Sequence, residues 1–132
     1  MLQTLNPKQI QMTQIQNSKQ YDLEERTFKF SSRVRGFIRK LSRTVSNIED
    51  GKQLIRSSGS MGANYIEANE ALSKKDFIHR VKICRKESKE TTYWLKLIDV
   101  GSDANLEKER QELFNEATEI MKIFGSIIEK SK

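Results

Sequence analysis

The stretch LIRSSGSMGANYIEANEA, residues 54–71, crowds serine, glycine and alanine into positions 57–63, and its interpretation decides the fold. A phosphate-binding loop would need a strand before the glycines and a Lys-Ser or Lys-Thr pair after them, and neither is present. Gly59-Ser60-Met61-Gly62 also matches the GxxG clamp of a KH domain, but that fold requires strands as well. The stretch instead carries a seam at helical steps of four and three, formed by Leu54, Ser58, Met61, Tyr65, Ala68 and Leu72.

The glycines of this stretch predict a close helix contact. Gly59 and Gly62 each cost a helix roughly 1 kcal/mol relative to alanine, so close packing against a neighbour must compensate. A larger side chain at Gly62 is therefore expected to overpack the contact and destabilise the fold.

Three further segments have helical periodicity, at about residues 22–42, 74–99 and 103–130, in addition to the one at 48–72. Ser73 begins the third segment with Asp76 three residues later, as in a capping box, and Gly101 ends it, with Ser102 or Asp103 available to cap the next. Strand patterns are absent, and seams with a period near 3.5 favour nearly antiparallel packing. The sequence predicts an all-α, up-down antiparallel four-helix bundle over residues 22–132, after a mobile N-terminal tail at 1–21.

Composition limits the class of protein. A chain of 132 residues suits one domain, and no apolar run approaches the roughly 20 residues of a membrane span. The N-terminus lacks the features of a secretory signal, and the single cysteine, Cys84, cannot form an internal disulfide. A soluble cytoplasmic protein without membrane contact is expected.

The net charge is +6, and the excess is uneven, because residues 73–98 carry eight basic and three acidic side chains. Such a surface is typical of nucleic-acid binding, although a solvated helix face has the same pattern. The candidate nucleic-acid-binding residues are Arg33, Arg35, Arg39, Lys40, Arg43, Lys75, Arg80, Lys82, Arg85, Lys86 and Lys89. Lys75, His79, Lys82, Lys86 and Lys89 follow helical spacing, so one face could track a phosphate backbone.

A polar line runs beside the apolar seam of the second helix. Arg56, Asn64 and Glu67 lie on it, and Glu87 and Glu90 occupy a comparable line on the third helix. A partly buried Arg56 would need a carboxylate partner, which predicts a structural pair with Glu90 or Glu87, supported by Asn64, with Glu67 as another candidate. The alternative is that the line forms a ligand or metal pocket.

The residues do not favour catalysis. Glu67, Glu70, Glu87 and Glu90 form two pairs three residues apart, but di-metal bundle sites add a histidine to each pair, and His79 lies outside both. Cys84 lies on the apolar seam and is expected to be core, and no nucleophile-base set can be assembled. Neither enzymatic activity nor a metal or cofactor is expected.

Tyr93 and Trp94 are expected to be buried in the bundle or at a subunit contact, with a base-stacking platform as the alternative.

Residues 47–98, NIEDGKQLIRSSGSMGANYIEANEALSKKDFIHRVKICRKESKETTYWLKLI, resemble the four-helix-bundle proteins encoded in bacterial 23S ribosomal RNA intervening sequences. The match extends back through DLEERTFKFSSRVRGFIRKL at 22–41 and more weakly into the fourth helix. The resemblance implies an up-down bundle assembled as a homopentameric ring with basic surface regions. The accessory proteins of diversity-generating retroelements, thought to contact nucleic acid and a reverse transcriptase, are similar in shape. The family's biochemical function is not settled.

Two functions follow as hypotheses. The first is a non-enzymatic ring that binds RNA or DNA through its basic surface, where several copies would strengthen a weak single-site contact. The alternative is a scaffold for an unidentified protein partner, in which the charge serves solubility only. Base-specific recognition has no support, because the sequence has no RRM, zinc-finger or OB signature.

Overall fold

The structure, a computed structural model, describes the backbone of residues 7–132 and the side chains of residues 23–132. That part of the chain forms four helices and no strand: α1 (Pro7–Arg39), α2 (Val45–Asn69), α3 (Lys74–Leu97) and α4 (Ala104–Ser131). The prediction of an all-α fold is confirmed. The helix of α1 begins at Pro7 rather than near residue 22. The predicted mobility of residues 1–21 stays a prediction, because helical backbone at residues 7–21 does not by itself test mobility and residues 1–6 lie outside the described residues.

Local side-chain hydrogen bonds determine where three of the helices begin. The hydroxyls of Thr44 and Ser73 and the carboxylate of Asp103 accept hydrogen bonds from the first backbone N–H groups of α2, α3 and α4. For Ser73 the donor is the N–H of Asp76, at 3.1 Å, as its capping pattern predicts. Gly101 has φ of +63°, a conformation that glycine adopts without the Cβ penalty, and it turns the chain between α3 and α4.

The four helices form a square in which each packs against two neighbours. α1 contacts α2 and α4, and α3 contacts α2 and α4. Pairs across α2 and α3 run in opposite order along the chain: Arg56 meets Glu90, and Asn64 meets Arg80. α2 and α3 are therefore antiparallel, as the up-down prediction requires.

The predicted seams supply the core. The spacing within residues 22–42 predicts a seam of five residues, and all five are buried: Leu23, Phe30, Val34, Phe37 and Leu41. The central seam residues of α2, α3 and α4 are buried as well. Two details of the prediction are wrong. Leu72 is 99% exposed, because α2 ends at Asn69 and the following turn carries Leu72 away from the bundle. The spacing also predicts Ile127 as the last seam residue of α4, but Ile128 is the fully buried one and Ile127 is half-buried, since a straight helix drifts from a strict 3.5-residue repeat.

The small-residue stretch of α2 lies against α1. A Cβ built on Gly62 would be 2.8 Å from Oγ1 and 3.2 Å from Cβ of Thr27, while one on Gly59 would meet Arg35 Nη2 at 3.5 Å. Thr27 is fully buried, and its hydroxyl donates to the backbone carbonyls of Leu23 and Glu24. The predicted close helix contact is confirmed, and Gly62 is its tightest point.

One buried side chain joins the two loops at the same end of the bundle. Asn47 Nδ2 donates to the carbonyls of Ser42 and Asp99, at 3.1 and 2.9 Å, and its Oδ1 accepts from the Asp99 N–H at 3.0 Å. The α1–α2 connection is thereby tied to the end of α3. None of the described helices is long and apolar enough to cross a membrane.

Candidate nucleic-acid interface

The solvent-facing side of α3 carries a basic stripe, which we define as Lys75, His79, Lys82, Lys86 and Lys89. Steps of four and three place these residues on one face of the helix, opposite the buried Val81, Cys84 and Ser88. All five stripe side chains are exposed, and they span about 21 Å at 1.5 Å per residue. Another cation of α3, Arg85, is exposed beside the stripe.

The groove between α3 and α4 extends the stripe. One surface recess there is lined by Lys82, Arg85, Lys86 and Lys89 from α3 and by Met121, Lys122 and Gly125 from α4. A second, nearer the start of α3, is lined by Lys74, Lys75, Ile78, His79, Lys82, Ser131 and Lys132. Within residues 23–132, no ion pair engages Lys75, Lys82, Arg85, Lys86 or Lys89. Their charges are therefore presented to solvent. Sequence reasoning missed Lys122, because it lies on another helix and only the packing brings it beside α3.

The carboxylates of α3 lie on its other flank, toward α2. Arg56 of α2 donates from Nη1 to Glu87 Oε2 at 3.1 Å and from Nη2 to Glu90 Oε2 at 2.9 Å. Burial lowers the pKa of Arg56, but the charges and hydrogen bonds of the two glutamates outweigh it, so the pKa is raised overall. The predicted pairing of Arg56 is thus present with both candidate glutamates.

The rest of the predicted polar line needs correction. The Arg56 side chain is half-exposed, and Glu87 is the buried member of the pair. Asn64 does not support Arg56: its Oδ1 accepts from Arg80 Nη1 at 3.4 Å, and its Nδ2 donates to the Ser60 carbonyl. Glu67 is exposed and makes no ion pair with Arg56 among the described residues. Of the predicted line, only Glu87 and Glu90 contact Arg56. Asn64 lies about two turns further along α2, too far away to bond with Arg56.

The five basic candidates at the end of α1 and in the connection that follows it, which we call the α1 candidates, differ from those of α3 in their surroundings. Lys40 Nζ lies 2.7 Å from Glu109, and Arg33 Nη2 lies 3.7 Å from Glu112, both on α4. Arg35 donates to the hydroxyl and carbonyl of Ser31. Arg39 and Arg43 are exposed, and Arg43 lines a recess with Ile38, Ile48 and Ile55 at the start of α2. Three of the five α1 candidates are therefore already bonded within the bundle.

A third ion pair also joins α1 to α4, and none of the three was predicted from the sequence. Arg26 forms a two-bond pair with Glu116 of α4, at 2.8 Å for each bond, and this hydrogen bonding lowers the pKa of Glu116. The partners are 90 residues apart, and the register of α1 against α4 cannot be read from either helix alone. Arg26–Glu116, Arg33–Glu112 and Lys40–Glu109 together form a ladder between the antiparallel helices.

The remaining candidates for chemistry are placed as follows. Cys84 is fully buried, and burial raises the pKa of its thiol to about 12, as expected of a core cysteine. Glu67 and Glu70 line a recess with His79 and Arg80, away from the glutamates bound by Arg56. Among the described residues, no three His, Cys, Asp or Glu side chains are grouped in a way that could hold a metal ion.

Tyr93 and Trp94 take different positions. Trp94 is half-buried, whereas the Tyr93 side chain is 57% exposed, so the expectation that Tyr93 is buried in the bundle is wrong. The rings lie edge to face, with centroids 5.1 Å apart and an interplanar angle of 79°. Two successive helical residues differ by about 100° in direction, so one can face the bundle while the next faces solvent.

Comparisons with known proteins agree with the fold. The family model described as 23S rRNA-intervening sequence protein matches residues 19–126. A solved crystal structure, of a protein of unknown function from the S23 ribosomal protein family of Bacteroides thetaiotaomicron VPI-5482, is 31% identical. The similarity covers 84% of this chain and 98% of that one, with a TM-score of 0.70. A search of curated proteins found no match.

Proposed function

The chain belongs to the 23S rRNA-intervening sequence protein family, and we propose that it is a non-enzymatic protein that binds RNA or DNA through the basic stripe of α3. The observation that carries the proposal is the segregation of charge on one helix. The stripe and Arg85 face solvent without ion pairs among residues 23–132, while Glu87 and Glu90 on the flank are occupied by Arg56. Unpaired cations on one face favour a polyanion that follows the helix.

The same reasoning favours α3 over α1 as the binding surface. Arg33 and Lys40 face α4 carboxylates, so a phosphate would have to compete with Glu112 and Glu109. A cation that is already paired with a carboxylate attracts a second anion less strongly than an unpaired cation does. Of the α1 candidates, Arg39 and Arg43 are left as secondary contacts.

The proposal includes assembly as a homopentameric ring, which the resemblance implies. Its support in the structure is the presence of exposed apolar side chains on α1 and α2. Phe28, next to Thr27 on α1, is 73% exposed, and Ile66, one turn beyond Gly62 on α2, is 50% exposed. Burying such side chains between copies would be favourable, and five stripes would raise affinity through effective concentration. We expect the pentameric mass in light scattering at micromolar concentration, and a monomeric mass would overturn this part of the proposal.

A salt titration with a matched pair of variants tests nucleic-acid binding. Binding of a labelled ribosomal RNA fragment is measured by fluorescence anisotropy at salt concentrations from about 50 to about 300 mM. Over this range, affinity that depends on phosphate contacts falls steeply with salt. The triple variant Lys82→Gln, Lys86→Gln, Lys89→Gln should bind more weakly. Its salt slope should be smaller by about 0.7–0.9 for each lysine that no longer neutralises a phosphate.

The control variant removes the same charge elsewhere, as Lys29→Gln, Lys52→Gln, Lys108→Gln, and should retain binding more closely. Equal weakening by both triples would mean that net charge alone, rather than the α3 stripe, attracts the RNA. No measurable binding by the unmodified protein at low salt would reject the proposal.

A protein-interaction scaffold is the second candidate, favoured by the exposed Phe28 and Ile66. In that case the charge would serve solubility only. A partner that co-purifies after nuclease treatment, and is retained by the Lys82, Lys86 and Lys89 triple variant but lost in Phe28→Ser, would support this alternative.

A further inference from the structure

The exposed ring of Tyr93 continues the basic stripe. The steps of four and three that connect Lys75 to Lys89 lead next to Tyr93 and then to Lys96, so the aromatic ring stands on the same face as the cations. Lys96 is exposed as well, and its ammonium lies 5.6 Å from the ring centroid of Phe114 on α4. The Tyr93 ring is thus largely exposed, and it stands between two lysines of the same face.

The ring is also held in place. Trp94 packs edge to face against it, at 5.1 Å between centroids, and Trp94 is itself half-buried in the bundle. Edge-to-face aromatic contacts are favourable beyond the area that they bury, so this contact limits the freedom of the exposed Tyr93 ring. A ring fixed in this way loses little conformational entropy when a flat group stacks on it.

The charges around the ring suit a phosphate backbone. Lys89 lies one turn before Tyr93, and Lys96 lies one turn after it. The nearest carboxylate in sequence, Glu90, would repel phosphate, but Arg56 Nη2 binds it at 2.9 Å. Cations therefore flank the ring on both sides, and the neighbouring anion is neutralised.

We infer that the stripe binds single-stranded nucleic acid, with an unpaired base stacked on Tyr93 and adjacent phosphates bound by Lys89 and Lys96. The inference rests on the proposed function and specifies its substrate class. Stacking on a side chain needs a base with an open face, which single strands and loops offer and a continuous duplex does not.

The test compares ligands and ring variants. Fluorescence anisotropy measures binding of labelled 12-nucleotide oligo(U), oligo(dT) and a 12-base-pair RNA duplex to the full-length protein and to Tyr93→Ala, Tyr93→Phe and Tyr93→Leu. We expect single strands to bind more tightly than the duplex. Tyr93→Ala should weaken single-strand binding by about 5- to 150-fold, with an unchanged salt slope because no phosphate contact is removed. Comparison of oligo(U) with oligo(dT) shows whether RNA or DNA is preferred.

The variants separate stacking from other roles of the ring. Tyr93→Phe should keep the affinity, and Tyr93→Leu should lose it as Tyr93→Ala does. If Tyr93→Leu binds like the unmodified protein, the ring is an apolar contact and the stacking inference is wrong. If the duplex binds as tightly as single strands, and only the stripe lysines matter, the substrate class is wrong while the proposed function stands. If no nucleic acid binds, the proposed function fails and this inference fails with it.

Discussion

Replacing Gly62 with alanine tests the close contact between α1 and α2. Alanine in place of a glycine inside a helix normally stabilises a protein by about 0.5–1 kcal/mol. At Gly62 the new Cβ would lie 2.8 Å from Thr27 Oγ1 and 3.2 Å from Thr27 Cβ, well inside the optimal 3.5–4.0 Å between carbon atoms. Overpacking of this kind costs roughly 1–3 kcal/mol.

Thr27 cannot move aside cheaply. It is fully buried, its β-branched side chain has few rotamers in a helix, and its hydroxyl donates to two carbonyls of the preceding turn. Relief would require α1 to shift away from α2. We therefore expect Gly62→Ala to be neutral or destabilising, by up to about 2 kcal/mol after the propensity gain is subtracted.

Gly36 provides the matched control, because it also lies inside a helix and no atom lies within 4 Å of its added Cβ. Gly36→Ala should stabilise by about 0.5–1 kcal/mol, which makes the two variants differ by about 1–3 kcal/mol. The assay is urea unfolding followed by circular dichroism at one fixed protein concentration, since assembly makes apparent stability depend on concentration.

A double-mutant cycle attributes the cost to Thr27. Thr27→Ala removes the nearest atom, so Gly62→Ala should be less harmful in that background, with a coupling energy of about 0.5–2 kcal/mol. If Gly62→Ala stabilises the protein as much as Gly36→Ala does, the close-contact argument is wrong.

Three further predictions concern polar groups of the bundle. Arg56→Met should destabilise by about 1–2 kcal/mol by leaving buried Glu87 unpaired, and adding Glu87→Gln should recover part of the loss in urea unfolding; no recovery would contradict the pairing. Because Arg26 lowers the pKa of Glu116 in the folded state, this pair stabilises fully above the ordinary pKa of 4.5 and loses its contribution as the pH falls through the lower folded value. Glu116→Gln should therefore lose stability at pH 7 and show a flatter decline in acid, and an unchanged pH profile would be the contrary result. Asn47→Ala should cost roughly 1–3 kcal/mol, measured against exposed Asn115→Ala, because three hydrogen bonds between the loops lose their partner; equal stabilities would show that the clamp adds nothing.

The sequence predicted those features that depend on spacing within one helix. The seams identified nearly all of the core, because burial in a bundle follows the helical period. The pairing of Arg56 was also within reach, since α2 and α3 are joined by a short turn that sets their register. Arg26–Glu116 was not, because α1 and α4 are distant in sequence and their register depends on packing of the whole bundle.

The spacing predicted burial correctly for residues in the middle of a seam, but not for residues at its end or beside it. Leu72 continues the α2 spacing, yet it lies beyond the end of the helix, and spacing does not report where a helix ends. Tyr93 and Trp94 adjoin the same seam residue, and only the arrangement of neighbouring helices decides which of the two is covered. The sequence identified two basic surfaces, on α1 and on α3, but could not decide between them. The carboxylates that pair with the α1 candidates lie on α4, and only the packing of the bundle brings them together.

Under the proposed function, neighbouring residues of α3 serve different purposes, some stability and others binding. Glu87 turns toward α2 and is buried under Arg56, whereas Lys86, one position earlier, points to solvent. A rotation of about 100° per residue produces this separation, so substitutions at adjacent positions should have different consequences. A change at Glu87 should disturb the fold and leave Arg56 paired with Glu90 alone. A change at Lys86, which is exposed, should leave the bundle intact and alter only what the surface attracts. Loss of nucleic-acid binding without loss of stability is therefore the signature expected of the stripe, and the reverse is expected of the carboxylates beside it.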